Sequence, residues 1–237
     1  MDIDIIEEFA WIGKDYVKGN IKGIVLSFHG LGGGLKTGSS TEELEWAHCG
    51  GLVVHPYCGP WSWMNRQTRA MIDTLVDAIY AAYRLADNIP LICTGGSMGG
   101  LGSLLYTRYA KRNVSACLAN CPVCDLMFHF HERPDLPPTI RNAFQGYPES
   151  LDNLLAEHSP LRQVPSLPDI PYRIIHGDED PAVSKQNHSD KMVPIMRNHK
   201  LNVEYIEVSG MGHCGPLPLK VLEGNIAFVA EVMSEQT

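Results

Sequence analysis

The run Gly95-Gly96-Ser97-Met98-Gly99-Gly100 contains the pattern G-x-S-x-G, with Gly95, Ser97 and Gly99 at its fixed positions. That pattern suits a sharp strand-to-helix turn, which strains the serine backbone and exposes its hydroxyl. Small residues two positions either side let the strand and helix pass closely. A glycine-rich turn of this kind can also cradle a phosphate. The lysine of a P-loop and the spacing of G-x-G-x-x-G are both missing here, which favours Ser97 as a nucleophile. A serine hydroxyl keeps its proton at neutral pH. It therefore needs a base, and the base needs an acid to fix its tautomer and stabilise its protonated form.

Candidates for both follow in chain order. His176-Gly177-Asp178-Glu179-Asp180 offers two acids, and Gly210-Met211-Gly212-His213 offers a base. Ser, then Asp, then His is the order of a nucleophile-elbow hydrolase. Either Asp178 or Asp180 can reach a histidine from its loop. Asp178, nearer the preceding apolar run, can instead brace the loop through backbone hydrogen bonds. Acyl transfer also needs donors aimed at the developing oxyanion. In such a fold they are the N–H of the residue after the nucleophile, here Met98, and an N–H from the loop after an early strand. The segment Phe28-His29-Gly30-Leu31-Gly32-Gly33-Gly34 has that place and assigns the second donor to Leu31. His29 reads as a structural hydrogen-bonder.

The elements that must position these groups alternate along the chain. Short apolar or β-branched runs at 23–28, 52–56, 90–94, 114–119, 172–176 and 202–208 read as strands, with a further edge strand around 9–12. Helical patterns fall at 66–86, 98–111, 184–198 and 219–233, and Pro194 is expected to kink or end the third of these. Such alternation implies an α/β fold with a mainly parallel sheet flanked by helices. One stretch, about 125–168, breaks the pattern. It carries seven prolines, from Pro134 to Pro168, together with Phe128, Phe130, Phe144 and Tyr147. A long connection in a compact domain is often a lid, so this one is expected to form a small cap of short helices over the site. The whole chain, 1–237, reads as one domain carrying that insertion.

The four motifs together, H-G-L-G, G-G-S-M-G-G, H-G-D-E-D-P-A-V and G-M-G-H, resemble the α/β-hydrolase superfamily over about residues 23–213. The compact form resembles small carboxylesterases, including the acyl-protein thioesterase and dienelactone hydrolase groups, and the catalytic domain of the prolyl oligopeptidase family. The resemblance implies an α/β-hydrolase fold. It also implies that the acid is the last Asp of the H-G-x-x-D stretch, here Asp180, giving Ser97, Asp180 and His213 as the triad. The expected activity is hydrolysis of a small-molecule carboxylic ester through an acyl-enzyme, with no cofactor and no metal. A thioesterase or peptidase with the same triad, and a ligand-binding homologue without turnover, are the alternatives. With no propeller domain in the sequence, a peptidase that depends on one is disfavoured.

Weaker signals complete the reading. Trp61 and Trp63 follow the second main strand at the end of the sheet where sites form, which makes them candidates for a substrate pocket or for packing beneath the loop. Cys121-Pro122-Val123-Cys124 spells C-x-x-C, but no second pair stands at ligand spacing, so a structural role is expected. His129, His131 and Glu132 are assigned to the cap surface. Cys58 and Cys214 are off the elbow turn and are not nucleophile candidates. A net charge of −8 argues against nucleic acid. No apolar run approaches the roughly 20 residues that span a bilayer, and the acidic amino terminus lacks the pattern of a secretion signal. Seven cysteines, an odd number in a long chain, do not suggest a disulfide framework. The expected setting is cytoplasmic.

Overall fold

A computed structural model describes residues 6–36 and 38–234. Its centre is a seven-stranded sheet in the order β1-β3-β2-β4-β5-β6-β7. The strands are β1 (Ala10–Ile12), β2 (Gly23–Phe28), β3 (Gly51–Pro56), β4 (Leu91–Gly96), β5 (Val114–Asn120), β6 (Tyr172–Gly177) and β7 (Val203–Val208). Only β1, at the edge, runs antiparallel; the other six strands are parallel to their neighbours. Strands buried on both faces need apolar residues at every position, and the two faces then fill alternately. Ile24, Leu26, Leu91, Cys93 and Ala119 pack on one face, whereas Val25, Ile92, Ala116, Leu118 and Ile175 pack on the other.

The helices are α1 (Thr41–His48), α2 (Arg66–Ala82), α3 (Met98–Tyr109), α4 (Leu126–Glu132), α5 (Leu136–Ala143), α6 (Leu151–Glu157), α7 (Pro160–Gln163), α8 (Ser189–Asn198) and α9 (Leu219–Ser234). α1 lies outside the helical patterns read from periodicity, and its start is marked by its cap instead. Ser40 accepts from the Glu43 N–H and the Glu43 carboxylate accepts from the Ser40 N–H, a reciprocal capping box. Pro194 lies within α8, and the helix neither ends nor begins there.

The stretch 125–168 folds into α4 to α7. Its apolar residues, among them Leu126, Phe130, Leu136, Ile140 and Leu154, belong to the same core cluster as one face of the sheet. Polar pairs fasten it at two places. Glu157 on α6 accepts from Arg66 and Arg69 at the start of α2, and Asn65 donates to the Ala143 carbonyl. At the other end, Glu132 accepts from the Ser184 N–H at 2.7 Å and from His188 at 3.0 Å. His188 takes the Cys124 and Asp125 N–H groups on its Nδ1, so its Nε2 carries the proton given to Glu132.

Candidate active site

Parallel pairing lines up the carboxyl ends of the central strands. Phe28 sits beside Gly95, Gly96 beside Asn120, and Gly177 beside Val208. The loops that leave these ends carry the residues singled out above. Ser97 joins β4 to α3 at φ 58°, ψ −123°, a conformation that costs a non-glycine residue on the order of 1–3 kcal/mol. The turn is held by the Ser97 N–H on the Asn120 carbonyl and by the Leu101 N–H on the Ser97 carbonyl. The flanking glycines have a direct steric reason. A Cβ on Gly99 would stand 2.1 Å from the Phe28 carbonyl oxygen, and one on Gly95 2.5 Å from that of Gly99.

Asp180, on the loop after β6, has a side chain shielded from solvent. Its Oδ1 accepts from the Ala182 and Val183 N–H groups at 2.9 Å each, and its Oδ2 lies 2.7 Å from His213 Nδ1 and 3.3 Å from His176 Nε2. Burial alone would raise its pKa. Bonds to His176, His213 and the two backbone donors outweigh burial and hold the carboxyl well below its usual range. Asp178 does a different job. Exposed at the strand end, it accepts from the Gly210 N–H at 2.6 Å and from the Ser209 hydroxyl, so it braces the loop that presents His213.

For His213 burial works to lower the pKa, but the Asp180 carboxylate and the Cys121 sulfur overcome it and raise the imidazole to about 9. Ser97 and His213 face one cavity of about 440 Å³, lined also by Gly30, Leu31, Gly96, Arg133 and Cys214. The N–H groups of Leu31 and Met98 meet no backbone acceptor among the described residues, leaving both free for a ligand oxygen. His29 holds the Leu31 loop: its Nδ1 donates to the Gly30 carbonyl while its Nε2 accepts from the Cys58 N–H.

The prolyl oligopeptidase family profile matches residues 70–235. The chain belongs to the prolyl oligopeptidase family. Its fold is that of the α/β-hydrolases. Among solved structures, it is similar to a puromycin-hydrolyzing peptidase of Mycobacterium tuberculosis, with a TM-score of 0.73 and 20% identity over 91% of this chain and 35% of that one. It also resembles an S-formylglutathione hydrolase from Agrobacterium tumefaciens, with a TM-score of 0.70 and 13% identity over 91% and 86% of the two chains. A truncated carbohydrate esterase from gut microbiota gives 0.69 and 15%, over 95% and 90%. The chain spans about a third of the length of the first of these. No curated protein matches the sequence.

Trp61 and Trp63 are not among the residues that line the Ser97 cavity, and their contacts are those of packing beneath the loop. Trp63 is fully buried, stacks edge-on to His129 and donates to Thr139 on α5. Trp61 is more than a third exposed and donates to Asn142 on the same helix at 2.8 Å. A buried indole N–H needs an acceptor, and α5 supplies one. Arg133, just past α4, lines the cavity and was not singled out from the sequence. Its signal is positional only: it follows Glu132, whose clamp fixes the backbone there. No helix among the described residues is long and apolar enough to cross a membrane.

Proposed function

We propose that the protein hydrolyses a small-molecule carboxylic ester, with Ser97 as nucleophile, His213 as general base and Asp180 as the acid that orients it. The observation that carries this reading is the Asp180–His213 pair at 2.7 Å opening onto the cavity that holds the strained Ser97. Ser97 Oγ attacks the ester carbonyl as His213 takes its proton, and the N–H groups of Leu31 and Met98 receive the oxyanion. The protonated His213 then gives its proton to the departing alcohol. Water, activated by the same imidazole, attacks the acyl-enzyme and frees the acid and Ser97. The balance needs only water, so no cofactor or metal enters the reading.

Arg133 is the one Arg or Lys among the described residues that line the cavity, and it pairs with Asp135 at 2.6 Å. That favours an ester bearing an anionic group over a neutral one of the same size. The helices α4 to α7 act in this reading as a fastened cap that shapes the cavity. A cytoplasmic setting belongs to the proposal, supported by the odd cysteine count.

A peptidase is the second reading, favoured by the family name and by the peptidases among the similar structures. The test is kcat/KM for ester, thioester and amide substrates built on one acyl group. The ester reading expects the ester to exceed the amide by far more than in uncatalysed hydrolysis. A preference for the amide relative to that reference would replace it with the peptidase.

A further inference from the structure

Beside Ser97 lie two thiols that the proposed hydrolysis does not use. Cys121, just past β5, is fully buried at φ 45°, and its sulfur accepts from the Cys214 N–H at 3.4 Å. Cys214 lines the same cavity as Ser97 and packs so closely on Gly96 that a Cβ there would be 3.0 Å from its sulfur. The two sulfurs and a ring nitrogen of His213 all lie within 4.8 Å of one another. Two thiolates and an imidazole, with a fourth position open to water, make a tetrahedral donor set for zinc, and soft sulfur ligands select thiophilic ions. With Zn–S bonds near 2.3 Å the sulfurs would sit about 3.8 Å apart, so the donors need shift by only about 1 Å or less.

We propose that Cys121, Cys214 and His213 form a site for a thiophilic divalent cation, zinc above all, and that filling it shuts down the hydrolase. The inhibitory half rests on the reading of His213 as the base. A metal on Nδ1 would displace Asp180, and a metal on Nε2 would take the lone pair meant for the Ser97 proton. Either way the relay is broken. The pair differs from the C-x-x-C of the sequence, since Cys124 is buried with its sulfur on the Pro122 carbonyl. It differs too from His129, Glu132 and His188, where both nitrogens of His188 are already spent on protein partners.

Cobalt(II) titration of the reduced protein, without substrate, tests the site. The expected result is one ion per chain, with thiolate-to-cobalt charge-transfer absorption and the visible bands of a tetrahedral ion, both erased by zinc. Cys121→Ser and Cys214→Ser should each weaken binding by more than about tenfold, while exposed Cys49→Ser should leave it unchanged. Because Cys214 is not in the closed core, its variant carries the test if Cys121→Ser fails to fold. No charge-transfer band, or one unaffected by both variants, would overturn the site. Zinc should also suppress turnover of an activated ester with the midpoint seen for binding; binding without suppression would overturn the inhibitory half. A protein that binds cobalt but hydrolyses nothing would sink the ester reading alone.

Discussion

The strand-end loops around Ser97 and the helical stretch 125–168 are held in place by different physics. The first is set by backbone. Ser97 is pinned at positive φ, glycines admit carbonyls to within 2.1–2.5 Å of where a Cβ would be, and Asp180 is fixed by two N–H groups of its own loop. The second is set by side chains reaching across the sequence, such as Glu132 to His188, Glu157 to Arg66 and Arg69, and Trp61 to Asn142. A site fixed by backbone tolerates changes in its cap. A cap fixed by a few charged pairs loses its hold when one partner is removed.

The sharpest break of this comparison falls within the loops. Asp180→Asn should lower kcat by about 10⁴-fold, as expected when the orienting acid of a serine triad is lost. Asp178→Asn, which weakens only a brace at the exposed strand end, should lower it by less than about tenfold. Steady-state kinetics on the two variants separate the roles; equal losses would show that the loop brace and the acid are not distinct.

Next in size is the cap clamp. Glu132→Gln should destabilise the fold by about 2 kcal/mol, the usual cost of losing hydrogen bonds to a buried charged group, read from the urea midpoint. The pH dependence has a definite sign. Although burial raises it, the Glu132 carboxyl is held below its ordinary value by His129, His188 and the Ser184 N–H. Its contribution is therefore present above the unfolded carboxylate pKa and is lost as pH falls toward the lower folded value. The variant should lose less stability than wild type on acidification from neutral pH.

The smallest effect is on the pH profile of catalysis. His213 must be neutral to accept a proton, and its pKa is raised to about 9. kcat/KM for a neutral ester should therefore climb from pH 7 and level off above about 9. Cys121→Ser removes one of the groups that raise the imidazole, so its limb should move to lower pH. A limb at the ordinary histidine position in both proteins would show that Cys121 does not couple to His213.

The same contrast explains what could be read from sequence. A strained turn leaves its mark in adjacent residues, so Gly95, Ser97 and Gly99 announce the elbow, and the short apolar runs at 23–28 and 90–94 announce the strands. The choice of Asp180 over Asp178 needed a resemblance, because spacing alone lets both reach a histidine. α1 is legible from Ser40 and Glu43, whose spacing is that of a capping box, but it has no strong apolar stripe to mark it further. Trp61 and Trp63 were placed at the correct end of the sheet, yet whether an indole faces a cavity or a helix depends on where α5 lands. Arg133 and Cys214 carry no local pattern; the fold alone brings them to the cavity and sets Cys214 against the buried Cys121.

The central claim is that Ser97 is activated by His213 and Asp180, and covalent labelling with a fluorophosphonate, read by intact mass, tests it most directly. Wild type should gain one adduct per chain, Ser97→Ala none, and Asp180→Asn one at a much reduced rate. Labelling of Ser97→Ala at the wild-type rate, or no labelling of wild type by either the fluorophosphonate or a smaller sulfonyl fluoride, would contradict it.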